Sequence, residues 1–180
     1  LQGRIEGVIY PTRLAVLLTA AGALFALGVA VLVPGSWYLG LTWPAALLLL
    51  TVADGLTGAR GARLLLAAPR TAGVGETFDL TLTAVLTGGQ LPRRAEAAVA
   101  MGPLVGTQDD GRITIALAGG RGAARVPLEA LRRGTATVER AWLRWRGPLG
   151  LAWRQQVLAA PASVAILPDL RPVRDRAQVG

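Results

Sequence analysis

The chain has 180 residues, 52% of them apolar, a formal net charge of +8, and neither cysteine nor histidine. Disulfides, thiol nucleophiles, histidine-ligated haem and Cys/His zinc sites are therefore excluded within it. General acid–base work would fall to 11 carboxylates, and no pair of them sits in a suggestive motif, so the sequence names no catalytic, cofactor-binding or metal-ligating residue. All 19 basic residues are arginine, a bias that fits a GC-rich genome with its abundant Ala, Gly, Leu and Val. The positive charge points to an anionic surface nearby, with lipid headgroups first and no nucleic acid expected.

In chain order, residues 1–13 read as a cytoplasmic flank carrying Arg4 and Arg13. The forty positions of residues 14–53 carry no charge and break only at Val33-Pro34-Gly35-Ser36. That pattern predicts a transmembrane hairpin of helices 14–33 and 37–53. The first is 20 residues long, enough at about 1.5 Å per residue to cross a hydrocarbon core of roughly 30 Å. Arginines flank both ends of the pair and the turn has none. The positive-inside rule therefore places both termini in the cytoplasm and the turn outside, with Trp37, Tyr38 and Trp43 as the outer aromatic anchor and Tyr10 near the inner interface. Helix 37–53 has Pro44 inside it and brings Asp54 to the inner headgroups, at the depth of Arg13 as an ion-pair partner. Residues 54–72 read as a juxtamembrane linker whose Gly55, Gly58 and Gly61, with Ala59 and Ala62, permit close backbone packing and also fit a loosely ordered exit.

From residue 73 the period changes to two. Phe78, Leu80, Leu82, Ala84 and Leu86 alternate with polar neighbours, as on a strand with one buried face. Ile113, Ile115 and Leu117 repeat the pattern after the Asp110-Gly111 hairpin signal, and Ala124, Val126 and Leu128 repeat it again. Gly134 opens a further run, Gly147-Pro148-Leu149-Gly150 marks a turn, and residues 151–158 and 163–167 supply the last strands. Residues 73–168 thus read as an all-β antiparallel, Ig-like sandwich, and residues 169–180 as a linker. Within it, residues 140–146 place Ala141, Leu143 and Trp145 on one strand face, and Arg140, Trp142, Arg144 and Arg146 on the other. The second face is either a solvated surface with Arg stems covering Trp142, or a contact for protein, lipid or single-stranded nucleic acid. Met101 is the only methionine, so the chain reads as a piece of a longer reading frame.

The order of these pieces resembles the bacterial domain of unknown function 58 family, membrane proteins found with MoxR-type AAA+ ATPases. Tyr10-Pro11-Thr12-Arg13 stands before the first span and Asp54 follows the second. Arg133-Gly134 resembles the family's arginine–glycine motif, and Gly147-Pro148-Leu149-Gly150-Leu151 its Asp-Pro-Phe-Gly-Leu turn. Residues 164–168, ending in Pro168, are similar to the segment that closes its sandwich. Gly147 stands where the family has an acid and Leu149 where it has an aromatic. The family's von Willebrand factor A-like region, with its Asp-x-Ser-x-Ser metal site, has no counterpart here, where Ser36 and Ser163 are the only serines. The resemblance implies a non-enzymatic, membrane-anchored interaction module in a bacterial inner membrane. Its partners would be the bilayer and a MoxR-type AAA+ ATPase, and its role the assembly or maturation of protein complexes. The alternatives are a membrane enzyme or transporter component using Asp54 as an intramembrane carboxylate, and a sandwich that binds anionic lipid or nucleic acid.

Overall fold

The computed structural model describes residues 7–36, 38–107, 111–158 and 162–167. Trp37, Asp110, Pro168 and the linker 169–180 lie outside them. Two apolar helices stand beside an all-β, sandwich-like domain of two sheets.

Helix α1 spans Arg13–Leu32 and α2 spans Leu39–Thr57. Thr12 caps α1, its hydroxyl accepting the Ala15 N–H at 3.3 Å, a device that stabilises a helix by about 1 kcal/mol. Pro44 lies inside α2, as expected, past the first turn, where its ring removes the N–H that would bond the Gly40 carbonyl. The helix ends at Thr57 rather than residue 53, so Asp54 lies within its last turn. The two helices pack through a small-to-large contact. A Cβ on Gly22 would fall 1.7 Å from the Trp43 ring, and the Trp43 indole N–H donates to the Leu18 carbonyl at 3.0 Å. Ala15 and Leu47 are also buried, together with Leu151, but the outward sides of the pair are bare: Phe25 is 72% exposed, Leu32 82% and Leu49 71%.

The smaller sheet runs β2 (Gly61–Ala67), β4 (Thr77–Thr87), β8 (Arg121–Ala130), β6 (Val105–Thr107). The larger is built on the 13-residue β9 (Gly134–Arg146). Along one edge of β9 lie β10 (Ala152–Leu158) and β11 (Ser163–Leu167); along the other lies β5 (Arg94–Met101), followed by β7 (Arg112–Ala116). Strand β1 (Gly7–Pro11) closes the β10 edge, and β3 (Thr71–Gly73) pairs with β11. Alternation fills the core as expected. Phe78, Leu80, Leu82, Ala84 and Leu86 of β4 are buried against Ala141, Leu143 and Trp145 of β9.

Two boundaries and one strand pairing differ from the sequence reading. The stretch 1–13 is not only a flank, because residues 7–11 form an edge strand paired with β10 from Gly7↔Gln156 to Pro11↔Ala152. The stretch 54–72 is not a linker: it holds the end of α2, all of β2 and the start of β3. The glycines there serve close approach, as at Gly61, where a Cβ would meet the Thr87 hydroxyl at 2.6 Å. Among the described residues the strands pair antiparallel except β3 with β11, and Gly58 and Gln90 form an isolated parallel bridge.

Candidate functional site

Asp54, Thr12 and the turn at residues 147–151 meet where the helices leave the sandwich. The Asp54 carboxylate is 1% exposed. Its Oδ1 accepts the Leu149 N–H at 2.6 Å, and its Oδ2 accepts those of Leu151 and Ala152 at 2.7 and 2.9 Å. Gly150, at φ +73°, bends the backbone so that these three donors converge. A charged acceptor shared by several N–H groups makes each of those bonds stronger than a neutral one. Gly147 completes the seat, since a Cβ there would lie 2.5 Å from the Asp54 carboxyl carbon. The acid expected by resemblance at position 147 would collide with that carboxylate.

The first helix grips the same turn. Thr12 donates its N–H to the Leu151 carbonyl at 2.8 Å and its hydroxyl to the Gly150 carbonyl at 2.8 Å. Gly55 packs on Ile9 of β1, where a Cβ would be 2.9 Å from the isoleucine methyl. Arg154 donates to the Gly55 carbonyl at 3.1 Å, satisfying one of the acceptors left open at the end of α2. The Trp145 indole N–H reaches the Ala59 carbonyl at 3.2 Å. Both helix ends are therefore fastened to one turn of the larger sheet.

The expected Arg13–Asp54 ion pair is not formed: Arg13 is exposed, and Asp54 is occupied by backbone donors. Of the other sequence candidates, Tyr10 lies on β1 opposite Trp153, and Pro11 opposite Ala152. Pro148, Gly150 and Leu151 form the turn. Arg133 and Gly134 are at the other end of β9, where Gly134 takes φ +144° and a Cβ would strike Leu104 at 2.9 Å. They do not join the Asp54 cluster. Thr12, Gly147 and Arg154 also belong to it; the first two stand inside the motifs of the sequence reading without being candidates there, and Arg154 is not marked at all. The signal available for Gly147 was its departure from the family's acid.

The second cluster is the outer face of the larger sheet. Arg144 donates through Nε to Glu96 at 2.8 Å, and through a second nitrogen to the same oxygen. That bond holds the Arg144 guanidinium protonated, raising its pKa from an already high value against the opposing effect of burial. The guanidinium carbons of Arg144 and Arg146 lie 4.9 and 4.7 Å from the ring centre of Trp153. The arginines therefore cover Trp153 on β10, not Trp142. Trp142 instead lines an open groove of about 510 Å³ with Ala98, Ala100, Arg112 and Thr114. The described residues hold no cluster of three or more metal-ligating side chains.

No family model matches the chain, and no curated protein matches it either. Among solved structures, it is similar to the CARDB domain of a Pyrococcus furiosus protein in complex with di-metal ions, at 10% identity and a TM-score of 0.41, over 62% of this chain and 96% of that one. It is also similar to a cohesin module of a Clostridium perfringens family 33 glycoside hydrolase, at 13% identity and a TM-score of 0.37, over 60% and 98%. A third likeness is to Escherichia coli alpha-2-macroglobulin, at 20% identity and a TM-score of 0.42, over 62% of this chain but only 17% of that chain. Likeness this distant says nothing of function.

Proposed function

We propose that the chain is a non-enzymatic interaction module anchored in a membrane by its helix hairpin. The observation that carries this reading is the contrast between bare and fastened parts of the helices. Their long apolar sides have no protein cover, while their polar ends are locked to the sandwich through Asp54 and Thr12. An uncovered surface of that size is stable in lipid rather than water. The arginines around the hairpin base and the uncharged turn support a cytoplasmic side for the sandwich by the positive-inside rule, and the bacterial inner membrane follows from the motif resemblance. Confinement to that thin layer raises the sandwich's effective concentration for membrane-bound partners. Partnership with a MoxR-type AAA+ ATPase, in assembly or maturation of protein complexes, rests on the order of the motifs. Three of those motifs meeting at one joint supports treating them as a single unit.

The reading of Asp54 as an intramembrane catalytic or transport carboxylate is not favoured, because both its oxygens already accept backbone bonds. Reporter fusions test the anchored reading. A fusion at Gly35 should report the outer side and one after Leu167 the cytoplasm, with the chain extracted only by detergent. Gly35 found inside the cell, or a chain that stays dissolved without detergent, overturns it. The ATPase partnership predicts co-purification with a MoxR-type protein from detergent extracts, lost when the sandwich is deleted.

A further inference from the structure

Strand register divides the sandwich into two ends. Pro11 pairs with Ala152, Trp153 with Arg146, Arg94 with Ala116, Gly61 with Thr87 and Val85 with Arg121. The connections after α2, β4, β7 and β9 therefore all lie at the hairpin end. Exposed Arg60, Arg93, Arg94, Arg121 and Arg146 stand there, with Arg13 at the start of α1. The carboxylates nearby are already engaged: Asp54 by the turn and Glu96 by Arg144. The opposite end is mixed, with Glu76, Asp79, Glu129 and Glu139 alongside Arg70, Arg132 and Arg133. Charge is thus segregated along the axis that runs toward the helices.

A hollow of about 610 Å³ opens at the hairpin end beside the Asp54 turn, lined by Arg93, Arg94, Arg146, Pro148 and Trp153 among others. Exposed Leu91 and Leu149 rise from the two loops that border it. Bonds from Asp54 to Leu149 and Leu151 hold one of those loops level with the last turn of α2, the depth at which a spanning helix meets headgroups. From this geometry we infer that the hairpin end docks on the headgroup layer of an anionic leaflet. Arg93, Arg94 and Arg146 surround a lipid phosphate, and Leu91 and Leu149 dip toward the acyl boundary. The inference rests on the anchored reading. It adds that the sandwich lies against the membrane and that lipid charge holds it there.

The chain lacks cysteine, so Leu149→Cys gives a single labelling site for an environment-sensitive fluorophore. The full chain is reconstituted into vesicles of phosphatidylcholine alone or mixed with phosphatidylglycerol. Flotation with both compositions is expected, whereas the label should shift to the blue only in the anionic vesicles and revert at high salt. Replacing Arg93, Arg94 and Arg146 with Gln should abolish the shift without affecting flotation, each arginine contributing roughly a fivefold change in the docking equilibrium. The same replacement at Arg70, Arg132 and Arg133 should leave it intact. A label indifferent to lipid charge, or equally sensitive to both triple variants, overturns the docking while leaving the anchor standing. Full reproduction of the shift by soluble glycerol phosphate with neutral vesicles assigns the hollow to a free phosphate and overturns it too. Failure to float with either vesicle removes the anchor, and the docking with it.

Discussion

The hairpin and the sandwich are apolar in opposite senses. In the sandwich, alternation buries Leu80, Leu82, Ile115 and Leu143 between two sheets, and charged residues face outward. In the hairpin, the inward contacts are small, Gly22 beneath Trp43 and Gly40 beside Ala26, and the large residues point away. A hydrophobic core holds the first together, whereas close helix packing holds the second. A mutation of one chemical kind should therefore have different effects in the two regions.

The largest loss is expected from Trp145→Ala, which empties a site only 1% exposed and deletes the bond to Ala59. It should destabilise the sandwich by about 3–5 kcal/mol, read as a lower midpoint in denaturant. Next comes Asp54→Ala. It strands three backbone donors at the joint, for a loss of about 2–4 kcal/mol, less than three times the roughly 1.5–3 of one bond to a charged group because water enters the space the side chain leaves. Limited proteolysis should then cut within residues 147–151, while the strands remain protected. Asp54→Asn retains an acceptor and should be milder. Gly22→Ala forces Trp43 aside and should weaken helix packing by about 1–3 kcal/mol, seen as altered Trp43 fluorescence with the sandwich midpoint unchanged. Phe25→Ala, a larger deletion at an exposed position, should move the sandwich midpoint by less than about 0.5 kcal/mol. A large shift there would mean that the helices have a protein cover after all, and the contrast between the two regions would fail.

Local pattern makes much of this legible in the sequence. The period-two runs of β4 and residues 140–146 put the right side chains inward, and Gly134, Gly147 and Gly150 marked breaks that the chain uses. Interactions remote in sequence were not legible. Strand β1 is five residues long and its partner begins at Ala152, so nothing near Ile9 announces that it pairs with Arg154. Strand β2 was hidden by Leu64-Leu65-Leu66, where three identical residues erase the alternation that would separate the buried Leu64 from the exposed Leu65. The partners of Asp54 are peptide N–H groups, which every residue but proline carries, so side-chain identity pointed to Arg13 instead. The tryptophan under the arginines was missed for the same reason, because Trp153 reaches them across strands rather than along one.

Strand β1 precedes the hairpin yet is stitched into the sheet, so the hairpin is an excursion from the domain and not an appendage to it. On the anchored reading, residues 7–11 wait at the membrane during synthesis until β10 has been made. Had only one of the two helices crossed the bilayer, they would be stranded on the far side and β10 would be left with a bare edge. On that reading completion of the sheet doubles as an inspection that both helices have crossed, and a half-inserted chain would expose an unpaired strand for quality control to find.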